Sequence, residues 1–377
     1  MNSQKKVSVV RVQELQKRYG SVYAVKGISF DIREGEFYTL LGPSGCGKTT
    51  TLRCLAGLER ADGGEVFVRD RLVDNGRVFI PPYQRPIGMV FQSYAIWPHM
   101  TVAGNVAFPL KNERKYSAKE IDRKVTEALD LVQLTGLGNR PAPNLSGGQQ
   151  QRLALARALV AAPSVLLLDE PLSNLDAKLR EEMRLELKNL TRRLGITTFY
   201  VTHDQLEALV LSDRIALMRD GRIVEEGNQY DLYMLPKYDF TADFFGVNNI
   251  LGGRVIQADP ARKIAQLDLS VGAPVFAQMR DFPVEVQQQV QVAIRPENIS
   301  IAPPLSAAKT SDQTPAETNT LKGVVKEFAF LGDTVDYRIA VKEKMIRVRT
   351  HPEILFRENE TVAMSFTPKH VCLLQSL

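Results

Sequence analysis

Three cysteines in 377 residues, Cys46, Cys54 and Cys372, are too few and too scattered for a disulfide framework or a zinc site. Their scarcity predicts a reducing, cytoplasmic setting. No segment offers the roughly 18 uninterrupted apolar residues that a membrane-spanning helix needs, so any role at a membrane would run through a partner. The stretch Met1–Arg11 is polar and lacks the apolar core of a signal peptide. Dense Lys/Arg blocks are missing too. A pI near 9.0 with a net charge of only +5 therefore does not point to nucleic acid. What remains is an ordinary globular balance, 44% hydrophobic and 24% charged, in a length that accommodates two or three domains.

One stretch organises the chain. Gly42-Pro43-Ser44-Gly45-Cys46-Gly47-Lys48-Thr49 fits the phosphate-binding pattern G-x-x-x-x-G-K-[ST] and runs on into Thr50. The apolar run Phe37–Leu41 before it reads as a buried strand, and Thr50–Leu55 after it as the start of a helix. In that context the glycines let backbone N–H groups converge on a phosphate, and the helix N-terminus adds donors and partial positive charge. Lys48 would reach the β- and γ-phosphates, and the Thr49 hydroxyl would bind Mg²⁺.

Residues 7–40 alternate in short runs that predict a small antiparallel sheet. Tyr19, at a strand end before the loop, reads alone as an ordinary strand aromatic; its position makes it a candidate for stacking on adenine. Further strand-like pieces are Glu65–Arg69 and Arg77–Ile80, with Asn75-Gly76 as the turn between them. Ile87–Phe91 is a short apolar strand ending at Gln92, which on its own reads as a solvated loop residue. Ser117-Ala118-Lys119-Glu120 is a capping box, followed by Ile121, Val125, Leu129 and Val132 at helical spacing. Asn144–Arg152 then opens an Ala/Leu-rich helix to Val160. Val165–Leu168 followed by Asp169-Glu170 predicts a buried parallel strand with two carboxylates at its C-terminal end, where α/β sheets hold their ligands. Ser173–Asp176 caps a helix over 177–194. Thr197–Thr202 is another strand, with His203-Asp204 at the same edge, and residues 215–225 read as a hairpin around Asp220-Gly221. Beyond Gly246 helical periodicity fades. Short strands at 288–294, 321–328, 334–340 and 345–349 predict a small β-barrel, with a flexible insert at about 303–320.

Phosphoryl transfer to water needs a phosphate cradle, a metal, a positioned water and a group for its proton. Thr49 and Gln92 can hold Mg²⁺ directly, and Asp169 through water. Glu170 is the general base or water-positioner, and His203 can bond the γ-phosphate; with Lys48 these form the catalytic set. Leu145-Ser146-Gly147-Gly148-Gln149 is a second Gly-rich phosphate binder opening a helix. Two such half-sites with one P-loop predict a head-to-tail dimer sandwiching two ATP molecules.

In this order, the P-loop, Gln92, Leu145–Gln149, Val165–Glu170, Ser173–Asp176 and His203 closely resemble the ATPase subunits of ABC transporters, over about residues 7–246. The resemblance implies that Tyr19 stacks on adenine and that Gln92 serves metal and coupling loop. It also implies that Asp176 belongs to a dimer-contacting loop and that ATP and Mg²⁺ are the cofactors. That loop more often reads Ser-Ala-Leu-Asp; Asn174 replaces the Ala, a change expected to be tolerated. Val292–Ile299 and Phe330-Leu331-Gly332-Asp333 resemble the C-terminal oligobinding-type barrel of importer ATPases similar to the maltose transporter's. Ser93–Thr101 resembles the segment facing membrane subunits, with Trp97 where sugar importers more often carry Tyr. The implied fold is an α/β P-loop nucleotidase domain (1–246), with an antiparallel β subdomain and a helical subdomain at about 93–160, then a small β-barrel domain (247–377). The implied partners are a second copy, transmembrane permease subunits and, indirectly, an extracytoplasmic solute-binding protein, at the cytoplasmic face of the membrane. Phe-Leu-Gly-Asp and Trp97 lean the solute toward ferric iron, polyamine or phosphonate, with sugar as the alternative. A soluble ABC ATPase acting on nucleic acid would carry a long coiled-coil insertion or a second ATPase domain, and neither is present. The barrel as a nucleic-acid binder lacks a basic and aromatic stripe, and the barrel tail argues against an exporter.

Overall fold

The computed structural model describes residues 7–280, 283–304, 318–353 and 355–375. It divides into two compact units, one up to Gln229 and one from Tyr230.

In the first unit β1 (Ser8–Tyr19) and β2 (Val22–Arg33) form a long hairpin turning at Gly20. β3 (Phe37–Leu41) leads into the P-loop and α1 (Lys48–Ala56). β4 (Gly63–Val68) and β5 (Arg71–Asp74) extend the hairpin into a four-stranded sheet of order β2-β1-β4-β5. This corrects one expectation. The β4–β5 turn lies at Arg69-Asp70, both with positive φ, and residues 77–80 contribute only a bridge from Phe79 to Asp74. Asn75-Gly76 is still a turn, because the Asn75 carboxamide oxygen accepts from the N–H groups of Arg77 and Val78.

β6 (Ile87–Val90) precedes three helices, α2 (Val102–Glu113), α3 (Ala118–Leu131) and α4 (Gly147–Leu159). The Ser117–Glu120 capping box forms at the start of α3, which buries Val125 and Leu129 as its periodicity requires. Then follow β7 (Val165–Asp169), α5 (Ala177–Leu194), β8 (Thr197–Thr202), α6 (Gln205–Leu211), β9 (Arg214–Arg219) and β10 (Arg222–Gly227). The central sheet has the order β10-β9-β3-β8-β7-β6 and is parallel except for β10. Every residue of β3, β7 and β8 is buried, which is why these strands read as continuous apolar or β-branched runs. Register places Leu41 opposite Thr202 and Asp169 opposite Val201. The P-loop, the Asp169-Glu170 pair and His203 therefore leave the sheet side by side.

The second unit begins with α7 (Gln229–Met234) and α8 (Asp239–Phe244). A boundary was expected after residue 246; the contacts put it at Gln229/Tyr230 instead. Ala242 packs with Ala293, Cys372 and Leu374, and the Arg295 guanidinium donates to the carbonyls of Tyr233 and Phe245. These helices thus belong to the β unit, although their periodicity matches the helical half of the chain. The strands β11 (Asn249–Asp259), β12 (Ile264–Asp268), β13 (Val275–Gln278), β14 (Gln289–Ile294), β15 (Ser300–Ala302), β16 (Asn319–Phe330), β17 (Val335–Val341), β18 (Lys344–Thr350), β19 (Thr361–Phe366) and β20 (Cys372–Leu374) form two antiparallel sheets. Their orders are β13-β12-β11-β14-β20 and β15-β19-β16-β17-β18, and both pack into one core that includes Val255, Leu267, Val292, Val325, Ile339 and Val348. Each fully buried Val or Leu contributes about 1.5–3 kcal/mol. The expected insert at 303–320 falls mostly outside the described residues; Asn319 and Thr320 already belong to β16.

Candidate functional site

The P-loop can take its shape only with glycine at two positions. A Cβ on Gly42 would lie 2.2 Å from the Met218 carbonyl oxygen of β9, and one on Gly47, at φ 108°, would lie 2.3 Å from that of Ala24 on β2. The loop is held from below as well, since the Cys46 carbonyl accepts from Gly221 N–H in the β9–β10 turn at 3.0 Å. Pro43, Ser44 and Gly45 form the exposed tip. Cys46 is buried, and that burial pushes its thiol up from 9.0. Lys48 is buried too, with Nζ donating to the carbonyls of Gly42 (2.8 Å) and Pro43 (2.9 Å). Its ammonium thus lies within the loop that would surround a phosphate.

Thr49 Oγ1 donates to Asp169 Oδ1 at 3.1 Å, joining the start of α1 to the end of β7. Burial raises the Asp169 carboxyl from 3.8, and the Thr49 hydrogen bond opposes the shift. Glu170 follows in a left-handed conformation, φ 43°, while its N–H still donates to the Val201 carbonyl of β8 at 3.0 Å. That twist turns its side chain into the cluster. Oε1 lies 3.0 Å from His203 Nδ1 and Oε2 lies 3.4 Å from Gln92 Nε2. Gln92 Nε2 is also 3.4 Å from Ser173 Oγ. Thr49 and Asp169 thus form one pair, and Gln92, Glu170 and His203 a second chain of contacts, at the C-terminal edge of a single sheet. Among the described residues no cluster of three His, Cys, Asp or Glu makes a metal cage. Thr49, Gln92 and Asp169 nevertheless supply the few oxygen donors that suit a Mg²⁺ held mainly by phosphates and waters.

Tyr19 is half exposed at the end of β1, where its hydroxyl meets the side chain of Thr50 in the first turn of α1. The aromatic therefore stands beside the P-loop. Ser146 caps α4 in a full capping box, accepting from Gln149 N–H while the Gln149 carboxamide accepts from Ser146 N–H at 3.1 Å. Gly147 and Gly148 face α5 and the turn before it, where added Cβ atoms would meet Leu175 at 3.6 Å and Leu179 at 3.3 Å. Asp176 caps α5 by accepting from Leu179 N–H.

The comparisons agree with this architecture. The ABC transporter family model matches residues 25–173, and the TOBE domain model matches residues 292–374. The spermidine/putrescine import ATP-binding protein PotA of Rubrobacter xylanophilus is 43% identical over 97% of this chain and 93% of its own. The chain belongs to the ATP-binding import subunits of ABC transporters. As a member of that family it binds and hydrolyses ATP as part of a membrane importer. The trehalose/maltose import ATP-binding protein MalK of Thermococcus litoralis is 54% identical, over 63% of this chain and 64% of its own. Among solved structures, a dimeric ATP-binding cassette, MJ0796, bound to ADP and phosphate superposes with TM-score 0.51 at 32% identity, covering 58% of this chain and 98% of that one. The cassette CbiO1 of Clostridium perfringens gives TM-score 0.55 at 31% identity over 60% and 90%.

Several residues that shape this import ATPase site carry no sequence motif. Buried Glu207 accepts from Tyr200 (2.8 Å) and Thr202 (2.6 Å), fixing the turn that ends in His203; burial raises its carboxyl from 4.5. Arg157 of α4 donates to the carbonyls of Tyr94 (2.6 Å) and Ala95 (2.5 Å), two left-handed residues just after Gln92. The Arg157 contacts join segments more than 60 residues apart, and the Glu207 contacts, though local, belong to no recognisable motif.

Proposed function

We propose that the chain powers uptake of a polyamine, working as a head-to-tail pair of copies beneath permease subunits at the cytoplasmic face of the membrane. The observation that carries the catalytic reading is the convergence of Lys48, Thr49, Asp169, Glu170 and His203 at one sheet edge. Lys48 exchanges its loop carbonyls for the β- and γ-phosphates, and Tyr19 stacks on adenine. Thr49, Gln92 and, through water, Asp169 would hold Mg²⁺ together with ATP, and the ion would supply neutralisation of charge developing on the phosphates. Glu170 accepts the proton of the attacking water as its oxygen bonds to the γ-phosphorus and the bond to the β-phosphate oxygen breaks. His203, oriented by Glu170, hydrogen-bonds the γ-phosphate. Ser146–Gln149 of a second copy closes over the same nucleotide, consistent with the dimeric state named for MJ0796. An extracytoplasmic binding protein would deliver the solute.

The polyamine reading rests on PotA relatives that match nearly the whole chain. Sugar is the second reading, favoured by the higher identity to MalK over the shorter span. Purifying the importer with its binding protein and screening solutes decides between them: spermidine or putrescine binding supports the first, and maltose or trehalose binding replaces it. For the chemistry, Glu170→Gln should lower turnover at least about 100-fold while trapping ATP in a stable dimer, seen by size-exclusion chromatography. Undiminished hydrolysis would remove Glu170 from its role.

A further inference from the structure

The side chain of Asn174, in the turn before α5, is engaged within the chain. Its Nδ2 donates to the backbone carbonyl of Gln92 at 2.8 Å, across more than 80 residues of sequence. The turn that carries it is fixed at both ends. Ser173 Oγ donates to the Glu170 carbonyl at 2.9 Å, and Asp176 caps α5. Arg180 donates to the carbonyls of Leu175 (2.9 Å) and Ser173 (3.4 Å), and its guanidinium also lies 3.9 Å from the Asp204 carboxylate, next to His203. The exposed Gln92 has little else to hold it: its amide contacts to Glu170 and Ser173 are both long, at 3.4 Å. The Asn174 bond is the short one among these.

We propose that Asn174 is a positioning residue that fixes Gln92, so that the glutamine's engagement with Mg²⁺-nucleotide depends on the turn Ser173–Asp176. The inference rests on the reading of Gln92 as a metal-site residue. An alanine at 174 supplies no donor, leaving the Gln92 carbonyl to water and its amide held only by the long contacts to Glu170 and Ser173. Arg180 extends the connection to the His203 side.

The test is Mg²⁺ titration of trinitrophenyl-ATP binding to the full chain, read by fluorescence, with nucleotide affinity in EDTA as reference. Asn174→Ala and the near-isosteric Asn174→Asp should each raise the Mg²⁺ concentration at half-effect roughly three- to ten-fold, the change carried by one ordinary hydrogen bond. Affinity in EDTA and the melting temperature should stay at wild-type values. Gln92→Ala should shift the same midpoint, and adding Asn174→Ala to it should produce no further shift. An unshifted midpoint in Asn174→Ala alongside a shifted one in Gln92→Ala overturns the proposal and leaves the Gln92 reading standing. Additive shifts overturn it too, since they would make Asn174 merely structural. An unshifted midpoint in Gln92→Ala overturns the Gln92 reading, and the proposal with it.

Discussion

Asp336 in β17 shows how much a single side chain can hold together. It is nearly buried, yet receives Arg347 Nε at 2.7 and 3.0 Å and Arg349 Nη2 at 3.1 Å from the neighbouring strand. These charge-assisted bonds hold its carboxyl below its ordinary 3.8. A carboxyl with a lowered folded-state value stabilises the fold fully above 3.8, and that contribution disappears as the pH falls through the lower value. Asp336→Asn should therefore cost roughly 2 kcal/mol at pH 7, read by urea unfolding of the C-terminal unit, and the gap from wild type should narrow under acid. The chemistry of the nucleotide site was far more legible than this pair. Lys48, Thr49, Asp169, Glu170 and His203 each follow or precede a strand whose apolar run announces it. Asn174 acts on a partner brought near only by the fold, while Glu207 and Asp336 bond nearer residues in patterns that no motif marks.

Elements are held by comparable long reaches. The P-loop helix α1 ends at Gly57, in a left-handed conformation at φ 77°, and Arg85 lies against that end. The buried guanidinium donates to the carbonyls of Cys54 (2.8 Å) and Leu55 (2.7 Å), closing the helix, and to those of Ile80 (2.7 Å) and Val73 (3.3 Å). Burial lowers its affinity for the proton, and buried Asp74 opposes the shift. Arg85→Leu would strand four carbonyls, so a loss of roughly 3 kcal/mol is expected, with faster hydrogen exchange across α1. Arg85→Lys should recover only part, because one ammonium cannot replace a fork. Sequence patterning predicted most elements of the first unit well, including α5 and β8 to the residue. It erred at β5, where Asn75-Gly76 advertised a hairpin turn more loudly than Arg69-Asp70, which makes it. In the second unit, β11, β12, β13, β15, β19 and β20 escaped individual notice because short strands on a shared core leave a weak alternation.

At the scale of the whole molecule, one chain carries a P-loop and a signature segment, and the proposed sandwich assigns them to different nucleotides. Ser146→Arg and Lys48→Ala would each be inactive alone. Mixed together, they should regain about one quarter of wild-type turnover, since half of the pairs formed at random are mixed and each has one intact site of two. Failure of the mixture to hydrolyse ATP above its components would rule out shared sites. The placement of α7 and α8 in the second unit was invisible to periodicity, because a helix reads alike whichever core receives it. Glu170 carries a consequence for the chain's durability. Its left-handed backbone costs on the order of 1–3 kcal/mol in a residue other than glycine. Glu170→Gly should return about 1 kcal/mol of that as a higher melting temperature while ending turnover. Selection for heat resistance alone would thus favour glycine at this position, so the glutamate is a cost in stability that only turnover repays.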